Sequence, residues 1–220
     1  MKSAIIDTTA TGKRIRFLMN EIGLTTLNAK CFYNISSPQT FYRWLSGAAL
    51  PTVEHLVILA AVLGTPMEEI IVADTTAYPA KTKKPLFAHE ESLAETACDL
   101  PICDCGQMLV PDIDVIATGK RINQLRIDAE MTVRDIQKIL GTKTTQAVYH
   151  WIRGTRLPAV EHLVVLAATL GVSMDELIVV DIVVLSMSDG IVLEKKDTKI
   201  TLATAISLIR TENAKTTARR

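Results

Sequence analysis

Three sets of residues have side chains able to do chemistry, and their spacing restricts what that chemistry is. Cys98, Cys103 and Cys105, with His89 upstream, hold enough soft ligands for a zinc ion. Their CxxxxCxC spacing lacks the paired CxxC knuckles of common zinc sites, so reduced thiols are expected, with no metal and no cofactor. His55 and His162 each open an apolar segment, but neither has a constellation of carboxylates or cysteines beside it. A capping or packing role is expected for both. No phosphate loop, nucleophile motif or paired-carboxylate site occurs, so the chain is not expected to be an enzyme. The third set offers hydrogen bonds from a surface: Gln146, Tyr149, His150 and Arg153 recur at helical spacing, and Gln39, Tyr42 and Arg43 take the places of the first three 107 residues earlier.

That offset runs through much of the chain. Thr11 to Val72 aligns with Thr118 to Val179 without a gap, and about 27 of 62 positions are identical. TGKRI, Trp44 and Trp151, Gly47 and Gly154, and Leu-Pro-x-Val-Glu-His-Leu-Val all recur, so the chain carries an internal duplication. Each copy is long enough for a small core of its own, which gives two beads on a linker.

Each copy reads as five short helices. Thr118 is expected to cap the first, with Ile122, Leu125 and Ala129 at helical spacing. Thr132 caps the second, and Gly141, or Asn34 in the first copy, ends it in a left-handed conformation. Thr144, or Ser37 before Pro38, caps a third helix whose Val148, Trp151 and Ile152 face inward. The apolar run VEHLVVLAATLG forms the fourth and ends at Gly171, and Met174 to Ile178 forms the fifth.

The GKRI segment, the span from Thr132 to Arg153, Trp151 with Gly154, Pro158 and LAATLGVSMDEL together resemble the lambda-repressor-like helix-turn-helix family. These are the Cro or XRE regulators of bacteria and phages. The resemblance implies an all-α fold of two tandem five-helix domains, and a DNA-binding transcriptional regulator whose partner is double-stranded DNA. In such domains the third helix enters the major groove. The resemblance thereby makes Thr145, Gln146, Tyr149 and His150 base-reading candidates, with Gln39, Tyr42 and Arg43 in the first copy. Gln146 ranks first, because a carboxamide pairs bidentately with adenine. Lys120, Arg121, Arg134, Lys143, Arg153 and Arg156 become phosphate candidates, joined by Lys13 and Arg14.

The copies differ on their outer faces. Arg134, Lys138, Lys143, Arg153 and Arg156 face Leu27, Cys31, Ser36, Ser46 and Ala49 in the alignment, so the second copy is expected to be the stronger reader. The depleted first copy leaves open an alternative, an antitoxin-like interaction module in which the first copy binds a partner or mediates dimerisation. The expected boundaries are a tail over 1–10, a divergent first domain over 11–73, an acidic linker over 74–117, a second domain over 118–180 and an extension over 181–220. A flexible linker of that length would reach roughly 35 to 40 Å, close to the ~34 Å of one DNA turn, so one chain could meet two half-sites. In the extension, two β-branched segments about Ser188-Asp189-Gly190 and the helical spacing of TLATAISLIR suggest a hairpin and a helix. A homodimer, or a protein partner bound through the extension, stays open. Lysine and arginine equal aspartate and glutamate at 24 each, so any basic field is local. Without an apolar signal core or a membrane-length run, a cytoplasmic protein is expected.

Overall fold

The computed structural model describes residues 5–25, 38–76, 107–186 and 192–217. The four cysteines, His89, the second helix expected in the first copy and the Ser188-Asp189-Gly190 turn lie outside the described residues. Among the described residues, four helices precede residue 76: α1 (Thr8–Glu21), α2 (Pro38–Leu45), α3 (Val53–Leu63) and α4 (Met67–Ile70). Five more lie between residues 115 and 177: α5 (Val115–Asp128), α6 (Val133–Leu140), α7 (Gln146–Ile152), α8 (Val160–Leu170) and α9 (Met174–Leu177). The bounds of α1, α3 and α4 recur in α5, α8 and α9 at the same 107-residue offset.

The expected cap of the first helix is displaced by a turn. Asp7 and Asp114 cap α1 and α5, each carboxylate accepting from a backbone N–H three residues on at 2.8 Å. Thr118 is instead buried inside α5, and its hydroxyl donates to the Val179 carbonyl and accepts from the Val179 amide. Thr11 accepts from the Val72 amide in the same way. These threonines lock the first helix onto the chain that leaves the last.

That departing chain forms strands, which corrects the all-α expectation to a helix-rich fold with small antiparallel sheets. β1 (Ile5–Ile6) pairs with β2 (Ala73–Asp74). At the equivalent place β3 (Gln107–Ile113) pairs with β4 (Val179–Ser186), which pairs in turn with β5 (Val192–Thr201). Lys195 on β5 reaches across β4 to Asp112 at 2.5 Å and to the buried Asp181 at 3.5 Å. The hairpin and helix expected in the extension are therefore present as β4, β5 and α10 (Leu202–Thr217). β3 lies in the stretch assigned to the linker.

The two copies do not have separate cores. Buried side chains from both halves form one continuous cluster, from Ile15, Phe41 and Leu59 to Ile122, Leu166 and Ile206. α3 packs against β3, and α10 packs against both α3 and α9, with Gly64 against the aliphatic stem of Arg210. The seam between α4 and α9 is polar. The Met67 amide donates to both oxygens of Asp175 at 3.3 Å, and the Met174 amide donates to Glu68. Met67 and Met174 are equivalent positions, as are Glu68 and Asp175, so the contacts are reciprocal. Ser173 caps α9 from its own half, but the N-cap of α4 is Pro66, which has no side-chain acceptor. Asp175 supplies it from the other half.

Burial pushes the Asp175 carboxyl well above the ordinary carboxylate range, and the nearby Glu68, Glu176 and Glu69 push it further; the Met67 amide opposes them. Glu68 is raised for the same first reason. A carboxyl raised on folding contributes stability below its unfolded pKa and loses it as pH rises through the folded value. The pair therefore stabilises the seam most in mild acid and least at neutral pH. Asp175→Asn keeps an oxygen for Met67 without the charge. Its denaturant midpoint is expected to equal or exceed wild type at pH 7, with the difference shrinking toward pH 4; a pH-independent difference would contradict this origin.

The end of α5 holds a residue in the left-handed conformation. Glu130 has φ 54°, where the first copy has Gly23 at φ 65° with open space around it. The left-handed conformation costs a non-glycine residue about 1–2 kcal/mol, part of which glycine returns as unfolded-state freedom. Glu130→Gly is expected to gain roughly 0.5–1 kcal/mol by denaturant titration.

Candidate nucleic-acid interface

The outward residues of α7 owe their position to a close approach between α5 and α7. A Cβ on Gly119 would lie 2.3 Å from the Trp151 carbonyl oxygen. In return, Gly154 has φ 68°, and its Cβ would lie 2.5 Å from the Ile116 Cα. Each glycine thus admits the backbone of the other helix. Trp151 and Val148 are buried beneath, with the Trp151 ring 5.3 Å from that of His162. Trp44 and His55 repeat that contact at 5.0 Å, and His55 Nδ1 lies 2.8 Å from Thr52 Oγ1. Burial lowers the His55 pKa more than Glu54 raises it, as befits a packed ring. The packing role expected for both histidines is what the structure shows.

α6 and the turn set the entry to α7. Thr132 caps α6 and Gly141 ends it with φ 65°, both as expected, and Asp135 completes a reciprocal capping box with Thr132. Gln137 Nε2 donates to the Thr142 carbonyl at 2.5 Å, and the Thr142 hydroxyl donates to the Thr144 carbonyl at 3.1 Å. Arg126 holds the chain before α6, donating to the Met131 carbonyl at 2.6 Å and to Asn123 Oδ1 at 2.8 Å. The N-cap of α7 is Thr145, one residue beyond the expected Thr144, and it makes no side-chain capping bond.

From this base Gln146, Tyr149 and His150 are exposed on α7, and Thr145 is half-buried. The Arg153 guanidinium lies 5.8 Å from the Tyr149 ring centroid, which draws a phosphate candidate against a base-reading one. His150 Nδ1 lies 2.9 Å from the Thr155 hydroxyl, which also donates to the His150 carbonyl at 3.0 Å. On α2, Gln39, Tyr42 and Arg43 are exposed, whereas Phe41 and Trp44 are buried.

The phosphate candidates divide by position. Lys120, Arg134, Lys143, Arg153 and Arg156 are exposed, as is Lys13. Arg121 and Arg14 are held elsewhere: their Nε atoms donate to the Glu176 carbonyl at 3.2 Å and the Glu69 carbonyl at 3.0 Å. They cap the C-terminal ends of α9 and α4, where a cation also suits the helix dipole. Thr155, Gln137 and the two capping aspartates were missed by the residue patterns. The repeat itself held one signal, since Ile6-Asp7 and Ile113-Asp114 extend it upstream of Thr11 and Thr118. Among the described residues no group of histidine, cysteine or acidic side chains could hold a metal ion, and no helix is long and apolar enough to cross a membrane.

Residues 122–177, which span the second half of α5 and all of α6 to α9, match the helix-turn-helix family model. No curated protein and no solved structure matches the chain. The match supports a DNA-binding helix-turn-helix of the Cro type in this region.

Gly119→Ala tests the α5–α7 approach. Without room for the Trp151 carbonyl, α7 must shift, at an expected cost of about 1–3 kcal/mol or more. A denaturant titration reads that loss, and an unchanged midpoint would show that the approach does not set α7.

Proposed function

We propose that the chain is a sequence-specific, DNA-binding transcriptional regulator with no catalytic step, acting in the cytoplasm on double-stranded DNA. α7 lies in the major groove with Gln146 as the principal base-reading side chain, and α2 is a second, weaker reader. The observation that carries this reading is the exposed row Gln146, Tyr149 and His150 on a helix anchored by Val148 and Trp151, inside the span that matches the helix-turn-helix family. Lys143, Arg153 and Arg156 flank that row with positive charge, and the corresponding Ser36, Ser46 and Ala49 offer none. The ranking of the two readers rests on that difference.

Mobility shift with genomic fragments, followed by titration of the selected duplex, tests the reading on the full chain. Gln146→Ala is expected to cost about 1–3 kcal/mol and to relax preference at one base pair. Arg153→Gln is expected to weaken all sequences evenly and to lower the slope of log K against log salt by about 0.9. Gln39→Ala is expected to cost less than Gln146→Ala. Equal losses would overturn the ranking, and a chain that retains no fragment would overturn the function.

A further inference from the structure

We propose that one chain reads both halves of a single duplex site, that the halves are inverted, and that their symmetry is broken at the base pair facing Arg43 in one half and His150 in the other. This rests on the DNA-binding reading above and adds the form of the site and the residue pair that makes it asymmetric.

The inverted arrangement follows from the seam. Met67 meets Asp175 and Met174 meets Glu68, and each contact becomes the other when the equivalent residues are exchanged. Reciprocity of this kind belongs to a two-fold rotation, whereas a head-to-tail arrangement pairs unlike patches. A second feature has the same symmetry. A groove of about 670 Å³ is lined by Thr8 and residues 50–54 of one half and by residues 156–161 of the other, of which 50–54 and 157–161 are equivalent. Those segments follow α2 and α7, so the chain leaving both reading helices converges on the local axis. A duplex whose dyad lies on that axis presents inverted half-sites to the two helices.

The reading rows are alike at two places and differ at a third. Gln39 matches Gln146 and Tyr42 matches Tyr149, so the bases they face are expected to repeat in both halves. Arg43 replaces His150. Arginine has only donors, and its partner in the major groove is guanine, through N7 and O6. His150 is set to the opposite polarity by its neighbour. The Thr155 hydroxyl has one proton, which it donates to the His150 carbonyl. With the hydroxyl proton on that carbonyl, the oxygen accepts from Nδ1–H across the 2.9 Å contact, and this is the tautomer we adopt. In the neutral ring Nε2 is left as an acceptor, and its partner is the amino group of adenine or cytosine. Ala48 stands where the second half has Thr155, so the first half has no such device.

Selection from a randomised duplex pool with the full chain, with native mass spectrometry of the selected complex, tests the proposal. The expected result is one chain per duplex on an inverted repeat, with guanine at one position of one half and adenine or cytosine at its mate. His150 is exposed, so His150→Arg leaves the core intact. It is expected to convert that mate to guanine and make the repeat symmetric, with a change in preference of about tenfold, the lower end of what one bidentate base contact discriminates. Thr155→Ala frees the ring to take either tautomer and is expected to relax preference at that position alone. A symmetric wild-type site, direct repeats, a single half-site, two chains per duplex, or a site unchanged by His150→Arg would each overturn the proposal. If no duplex is enriched, the DNA-binding reading itself fails, and this inference with it.

Discussion

The exchange of carboxylates and amides between α4 and α9 is the constraint on which the rest of the molecule turns. An acid buried away from water is costly unless something hydrogen-bonds to it, and here the partner is a helix N-terminal amide that also lacks one. Each defect answers the other across the seam. The bonds are directional and come in a related pair, so they fix one relative placement of the halves in a way that apolar packing does not. α10 and β3 then bury α3 from the other side, and the cluster that results belongs to both halves at once.

A second constraint operates inside the repeated unit. Gly119 and Gly154 let α5 and α7 approach at backbone distance, and Trp151 fills the space behind. The same residue types stand at positions 12, 47 and 44, where a Cβ on Gly12 would lie 2.5 Å from the Trp44 carbonyl oxygen. Identity between the copies is thus concentrated where backbones meet, and difference is concentrated on the outer face. Arg43 and His150, or Ser46 and Arg153, can diverge because nothing in the core depends on them.

What was legible in the sequence was local. Thr132 and Gly141 bound α6, and the tryptophans and histidines pack as their spacing predicts, because cap chemistry and helical periodicity are written within a few residues. The strands β1 and β2 are two residues each, too short to show alternation. Arg14 and Arg121 look like phosphate ligands in a basic segment, and only the fold brings the carbonyl ends of α4 and α9 to them. Glu68 and Asp175 read as acids in the first turn of short helices, a place that suits them on dipole grounds alone. Their true partners lie more than a hundred residues away, beyond any local pattern. The shared core was missed for the same reason.

The Met67–Asp175 bond also orders events in time. Met67 and Asp175 are 108 residues apart. A chain emerging from the ribosome exposes the start of α4 long before the residue that caps it has been made. Domains ordinarily fold as units, the N-terminal one first during synthesis. Here the first half can form its described helices early but acquires the Asp175 cap of α4 and the packing of α10 only after the later half has been made. The earlier half of the protein is therefore finished by the later one.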